Sequence, residues 1–121
     1  MSDVPQPPPG AGRRLTADDA LRALAADPLG VHFHRMFHHG NLEIEIYKPR
    51  YRDLQTVHTR DEVYLVIAGH GQFLCAGTRQ PFGAGDLLFA PAGIEHRFED
   101  FSDDFSTWVL FYGPENGEHD P

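Results

Sequence analysis

The 121-residue chain has little of three things: cysteine, basic charge and long apolar runs. Its one cysteine, Cys75, excludes a disulfide within the chain. Ten Lys and Arg residues against 18 Asp and Glu residues give a net charge of −8, which argues against nucleic-acid and acidic-membrane partners. No apolar stretch approaches the roughly 18 residues of a membrane span, and the N-terminus lacks the basic start and apolar run of a signal peptide. We therefore expect a cytoplasmic protein with one domain.

The two ends of the chain differ in composition from its middle. Prolines crowd the first nine residues, which have almost nothing to bury, so we expect residues 1–14 to form a disordered tail. Residues 15–113 form the predicted domain, and residues 114–121 an acidic tail. Thr16 is suited to cap a helix, two aspartates follow it, and Asp27-Pro28 would end the helix. These signals predict one short helix at the start of the domain.

The rest of the domain has the pattern of β-strands. Apolar residues alternate with polar ones over residues 31–37 and 42–46, on either side of Gly40-Asn41, which predicts a β-hairpin. After a charged loop over residues 48–57, short apolar runs recur between glycines and prolines up to residue 112. Many short strands with regular turn signals favour an all-β barrel or sandwich.

Two segments carry imidazoles and a carboxylate at informative spacings. The first holds His58 and Glu62, which lie on the same face if this segment is extended, because side chains alternate along a strand. The second contains Gly85, Pro91, Gly93 and His96, which predicts a strand, a tight turn and a second strand that opens with an imidazole. Two imidazoles and a carboxylate could therefore converge. Such groups are suitable ligands for divalent iron, manganese, nickel, copper or zinc.

These segments resemble the two motifs of the cupin superfamily, roughly G-x5-H-x-H-x3-E-x6-G and G-x5-P-x-G-x2-H-x3-N. The second motif is matched at the four residues just named, with Asp100 in place of its asparagine. The first is matched by His58, Glu62 and Gly69, while its first histidine falls on Thr56. The resemblance covers roughly residues 42–112. It implies a double-stranded β-helix (jelly-roll, or cupin) barrel, with a divalent metal ion held inside by His58, Glu62 and His96.

The resemblance also draws attention to three neighbours of these ligands. Thr56 would lie beside the ion, where its hydroxyl is a poorer ligand than an imidazole and is better suited to hold a bound water. The amide of Gln55 could replace the missing histidine as a weak oxygen ligand if the loop is bulged. Asp100 could orient a ligating histidine through a hydrogen bond, or it could cap the turn that follows.

The alternation of side chains also predicts what surrounds the ligands. Tyr64 and Val66 share the parity of Glu62, and Phe98 shares that of His96, so all three should face the interior. They would line a mostly apolar pocket for a small, partly apolar organic substrate or ligand. Tyr64 is either a proton donor for catalysis or a core tyrosine. A second group of histidines is a rival ligand set or simply surface residues: His32, His34, His38 and His39.

Family membership of this kind leaves the reaction open, because cupins include dioxygenases, isomerases and decarboxylases. We favour a metal-dependent enzyme that acts on a small molecule, with a preference for a dioxygenase. One alternative is a non-catalytic module in which the barrel holds a small ligand or the metal serves structure alone. Another is a metal-free epimerase or isomerase with His58 as base and Tyr64 as acid. The resemblance further implies a homodimer that pairs through residues 31–46.

Overall fold

The computed structural model describes residue 8, residues 10–53 and residues 56–119. This part of the chain consists of one helix and eight strands, which confirms the predicted all-β class with one short N-terminal helix. The predicted tails at residues 1–14 and 114–121 extend beyond the described residues and stay predictions. The elements in chain order are α1 (Ala17–Ala25), β1 (Phe33–His39), β2 (Leu42–Tyr47), β3 (Asp61–Ala68), β4 (His70–Cys75), β5 (Thr78–Gly83), β6 (Leu87–Ala90), β7 (His96–Glu99) and β8 (Ser106–Tyr112).

The helix begins where the sequence predicts. Thr16 is its N-cap, and the Thr16 hydroxyl accepts a hydrogen bond of 3.0 Å from the backbone N–H of Asp19. The buried side of α1, Ala20 and Leu24, packs on Ile46 at the outer face of the sheet. In the part of the chain that the structure describes, no helix has the length and apolar character that crossing a bilayer requires.

The strands form two antiparallel sheets, as expected for a jelly roll. The larger sheet has the order β1-β2-β8-β3-β6 and the smaller one β5-β4-β7. An aromatic core fills the space between the two sheets, and its close packing leaves little room for water there. The buried members of this core are Tyr47, Tyr64, Val66, Phe73, Phe82, Ala90, Phe98, Phe105 and Val109.

The register of the larger sheet decides which side chains share its inner face. Glu62 of β3 pairs with Phe111 of β8, and Phe111 pairs in turn with Glu43 of β2. Two residues along the strands, Tyr64 pairs with Val109. Because alternate residues face the same way, these side chains point inward, whereas Ile46 points outward under α1. Glu62 is thereby placed on this inner face, beside Phe111, and is buried.

Candidate metal centre

Glu62 is a buried carboxylate in which only one of the two oxygens accepts a hydrogen bond from a described residue. The residue is 1% exposed, at the start of β3. The Tyr64 hydroxyl, two residues further along the same face, donates a hydrogen bond of 2.5 Å to Glu62 Oε2. Glu62 Oε1 is buried and has no hydrogen-bond donor within the described residues. Leaving a buried acceptor unpaired costs about 1–3 kcal/mol, so this oxygen calls for a partner.

His96 is the first residue of β7 and is held in one orientation. Its Nδ1 donates a hydrogen bond of 2.9 Å to the carbonyl oxygen of Ile94. In the neutral imidazole, Nε2 is therefore the unprotonated nitrogen, and it lies 3.2 Å from Glu62 Oε1 and 3.0 Å from the Tyr64 hydroxyl. Burial by itself would lower the pKa of His96, but the nearby Glu62 carboxylate and the Ile94 carbonyl outweigh it and raise the pKa above its usual value.

His58 reaches the same point from the loop before β3 rather than from the strand itself. The backbone N–H of Gly93 donates a hydrogen bond of 2.8 Å to the carbonyl of His58, which joins the two motif segments directly. The His58 ring packs edge-on against Phe111, with 5.1 Å between the ring centroids. Its Nε2 lies 3.5 Å from Glu62 Oε1. The Pro91–Gly93 turn thus positions both imidazoles. It leads into β7, which begins with His96, and it is hydrogen-bonded to the loop that carries His58.

These three residues fit the requirements of a divalent cation. One donor atom from each of His58, Glu62 and His96 lies within 4.8 Å of the others, and among the described residues no other group of His, Cys, Asp and Glu side chains does so. Two ligands at about 2.1 Å from one ion lie about 3.0–3.4 Å apart, close to the observed 3.2 and 3.5 Å. A cation would also satisfy the unpaired Glu62 Oε1. The structure therefore contains a possible metal site at the residues that the motifs indicate.

The three neighbours of the ligands have different outcomes. Thr56 is exposed and lines a cavity beside His58. Gln55 lies outside the described residues, so its role as a ligand stays a prediction. Asp100 is exposed in the turn after β7 with a φ of 51°, a conformation that Asp and Asn tolerate better than most residues. His96 donates its orienting hydrogen bond to the Ile94 carbonyl rather than to Asp100.

The predicted pocket residues lie in the core rather than around an opening. Val66 and Phe98 are 3% and 1% exposed and belong to the aromatic core. Tyr64 is fully buried, and its hydroxyl faces Glu62 and His96. The alternation of residues correctly predicts that all three face inward. It does not predict that the phenylalanines of both sheets fill the space below the ligands.

A cavity of about 750 Å³ lies on the other side of His58. Its wall is formed by the inner face of β1 and β2, the loop before β3 and the end of β8. Apart from His58 and Thr56, the sequence patterns do not indicate the lining residues, although Arg60 shares the even spacing of His58 and Glu62, which is a usable signal. The lining residues that matter below are Glu45, Tyr47, Arg50, Arg52, Arg60 and Phe111.

The rival group of histidines does not converge. His34 pairs with Asp27, with 3.1 Å between Nδ1 and Oδ2. His32, His38 and His39 are exposed. Within the described residues, only His58, Glu62 and His96 meet the geometric requirement for a shared ion.

Comparison with known proteins agrees with the fold. A curated relative from Streptomyces coelicolor, itself uncharacterized, is 33% identical over 64 residues, which is 53% of this chain and 61% of the relative's length. A cupin 2 conserved barrel domain protein from Salinispora arenicola has a similar structure, with a TM-score of 0.59, 18% identity and coverage of 93% and 91% of the two chains. Protein NMB1881 from Neisseria meningitidis is also similar in structure, with a TM-score of 0.65, 17% identity and coverage of 84% of this chain and 100% of that one. The profile of the Cupin_2 family, described as a cupin domain, matches residues 43–112, so the chain belongs to the cupin superfamily.

Proposed function

We propose that this cupin binds one divalent metal ion through His58, Glu62 and His96, and acts on a small molecule in the adjoining cavity. The observation that supports this most directly is Glu62 Oε1, which is buried without a hydrogen-bond donor in the described residues yet faces two imidazole nitrogens. Nδ1 of His96 donates to the Ile94 carbonyl, so Nε2 is the nitrogen that faces Glu62 Oε1, and in the neutral imidazole its lone pair is available to an ion.

The residues around the site have separate tasks. Tyr64 holds Glu62 by its Oε2, so that Oε1 remains available to an ion. Ile94 fixes the orientation of the His96 ring. Phe73 and Phe98 close the site from below and keep water out of the barrel. His58 alone of the three ligands borders the cavity, so a small molecule would approach from its side.

The donor set indicates which chemistry is available. Two imidazoles and one carboxylate leave coordination positions open, and non-haem iron oxygenases use such a set. A bound ion would supply Lewis acidity or, if it is iron, the redox chemistry of a dioxygenase. We favour the dioxygenase among these. The metal-free epimerase has less support, because Tyr64, its proposed acid, is buried and hydrogen-bonded to Glu62 away from the cavity.

A second candidate is a non-catalytic module with a structural metal. The burial of the ligands favours it: the side chains of Glu62 and His96 are each 1% exposed, and neither lines the cavity. Structural sites are closed, whereas catalytic sites keep an open position. The homodimer and the cytoplasmic location stay predictions; β1, part of the segment expected to pair, is an edge strand of the larger sheet.

Metal content tests the shared part of both candidates. Protein purified without chelator should contain about one equivalent of metal per chain by elemental analysis. Glu62→Gln and His96→Ala should lose most of it, since each removes one of three ligands. His38→Ala is the matched control, because His38 is exposed on β1, and it should retain the metal. Unchanged metal content in His96→Ala would place the ligands elsewhere and contradict the proposal.

Oxygen consumption then separates the enzyme from the module. Iron-loaded protein should consume oxygen with a small diketone, thiol or aromatic diol, and Glu62→Gln should not. Stoichiometric iron without consumption on any of these substrates would favour the non-catalytic module.

A further inference from the structure

The cavity beside His58 contains arginines that lack acidic partners. Of the six arginines elsewhere in the described chain, four contact a carboxylate within 4 Å: Arg22, Arg35, Arg79 and Arg97. Arg50, Arg52 and Arg60 all line the cavity, and within the described residues none of them has such a contact. In a chain with 18 acidic and 10 basic residues, unpaired arginines around one cavity require an explanation.

Arg60 is the most informative of the three. Its Nε donates a hydrogen bond of 3.1 Å to the carbonyl of Gly113, which fixes the guanidinium against the end of β8. Its Nη2 is buried and has no acceptor among the described residues. Arg60 is two residues from both His58 and Glu62 in the sequence, and it lines the same cavity as His58. A guanidinium fixed at one nitrogen and unpaired at another is suited to bind an anion.

The other residues of the cavity wall that matter here are apolar or acidic. Tyr47 and Phe111 provide aromatic surface, and the Phe111 ring packs against that of His58. Glu43 and Glu45 lie on β2, and Glu43 contacts Arg35 at 3.9 Å. These carboxylates would repel a ligand that is negatively charged along its whole length, or one with two charges at one end. They tolerate a single negative charge at the arginine side.

We propose that the cavity binds a small organic carboxylate, with its anionic group at Arg60 and Arg52, which both line it, and its apolar body against Phe111 and Tyr47. This inference rests on the proposed function only in that it assigns the ligand of the same site. A singly charged carboxylate matches the guanidinium in geometry, and it meets less repulsion from Glu43, Glu45 and Glu115 than a phosphate dianion would.

Four related probes test the proposal in metal-free protein, where a carboxylate cannot bind through a metal ion. Benzoate, benzyl alcohol, benzylamine and phenyl phosphate share one ring and differ in charge, and their binding can be measured by ligand-observed NMR. We expect benzoate to bind about tenfold more tightly than benzyl alcohol, because charge-assisted hydrogen bonds exceed neutral ones. Phenyl phosphate and benzylamine should bind more weakly than benzoate. Equal affinity for benzoate and benzyl alcohol, or binding of none of the four, would overturn the proposal.

Variants locate the binding group. Arg60→Gln should weaken benzoate binding about tenfold and leave benzyl alcohol binding unchanged. Arg22→Gln, on α1 and away from the cavity, is the matched control and should behave as wild type. Circular dichroism establishes that Arg60→Gln is folded; if it is not, Arg52→Gln provides the same comparison. Full benzoate affinity in a folded Arg60→Gln protein contradicts the proposal. Metal content is measured separately, so failure of the metal site and failure of the carboxylate site give different results.

Discussion

The hydroxyl of Tyr64 lies 2.5 Å from Glu62 Oε2 and 3.0 Å from His96 Nε2, so that one buried phenol contacts two of the three candidate ligands. Tyr64 and Glu62 are two residues apart on β3 and therefore share the inner face of the sheet. The hydrogen bond occupies the carboxylate oxygen that faces away from His58. Tyr64 is accordingly a positioning residue for Glu62.

Removal of this phenol should weaken metal binding without unfolding the protein. We expect Tyr64→Phe to lower metal affinity about 10- to 100-fold, the range found when a partner that orients a ligand is lost. Competition with a chromophoric chelator measures the affinity. Tyr51→Phe is the control, because Tyr51 is 86% exposed, and it should match wild type. Wild-type affinity in Tyr64→Phe would show that Glu62 needs no such support.

The glycine of the first motif is required by close packing. Gly69 has a φ of +89°, and a Cβ there would lie 2.5 Å from the Cα of Phe105. Gly77 has a similar φ of +80°, but its Cβ would meet nothing within 4 Å. We expect Gly69→Ala to lower the free energy of unfolding by about 3–4 kcal/mol, and Gly77→Ala by only about 1–2 kcal/mol, the cost of a left-handed conformation alone. Urea unfolding measures both, and equal losses would contradict the role of the Phe105 contact.

The sequence predicts local features of this protein well where a residue type strongly favours one structural role, such as a helix cap or a turn. Thr16 caps the helix as expected, and Gly93 with a φ of 75° turns the chain before His96. Pro81 shows the limit of such signals. It indicates a turn, yet β5 continues through it to Gly83. Because β5 is an edge strand of the smaller sheet, a missing N–H is tolerated there, and edge position depends on the whole topology.

The same limit applies to the candidate site. The spacings of the cupin motifs single out His58, Glu62 and His96. They can do so because the geometry of a turn and of the strand beside it depends on residues that are close together in the sequence. The cavity depends on contacts between distant segments, since Arg60 is held by Gly113. The filled core below the ligands depends on Phe82, Phe98 and Phe105 meeting from different strands. Alternation predicts that such side chains face inward, but not how much space they leave.

The hydrogen bond from the Leu29 backbone N–H and the contact with His34 should make the contribution of Asp27 to stability depend on pH. The backbone N–H of Leu29 and then His34 lower the pKa of Asp27 below its usual value. A carboxyl whose pKa is lower in the folded state stabilises the protein above the unfolded-state pKa of about 3.9. This contribution is lost as the pH falls through the folded-state pKa. Asp27→Asn should therefore lower the thermal midpoint at pH 6, and the difference from wild type should shrink towards pH 3.

The control for this comparison is Asp103→Asn, since Asp103 is exposed. Its thermal midpoint should differ little from that of wild type at either pH. A difference for Asp27→Asn that stays constant between pH 6 and pH 3 would mean that the charge of Asp27 does not contribute.

The two histidine ligands should contribute differently to the stability of the metal-free protein. Their contributions to the stability gained from a bound metal should be similar. The side chain of His96 is 1% exposed and hydrogen-bonded to Ile94, whereas that of His58 is 32% exposed on a loop. In metal-free protein, His96→Ala should cost about 2–3 kcal/mol of unfolding free energy, because it leaves a cavity and an unpaired carbonyl. His58→Ala should cost less than about 1 kcal/mol.

A metal ion at 100 times its dissociation constant should stabilise wild type by about 2.7 kcal/mol. Both variants should lose most of this gain, and a full gain in either would remove that histidine from the ligand set.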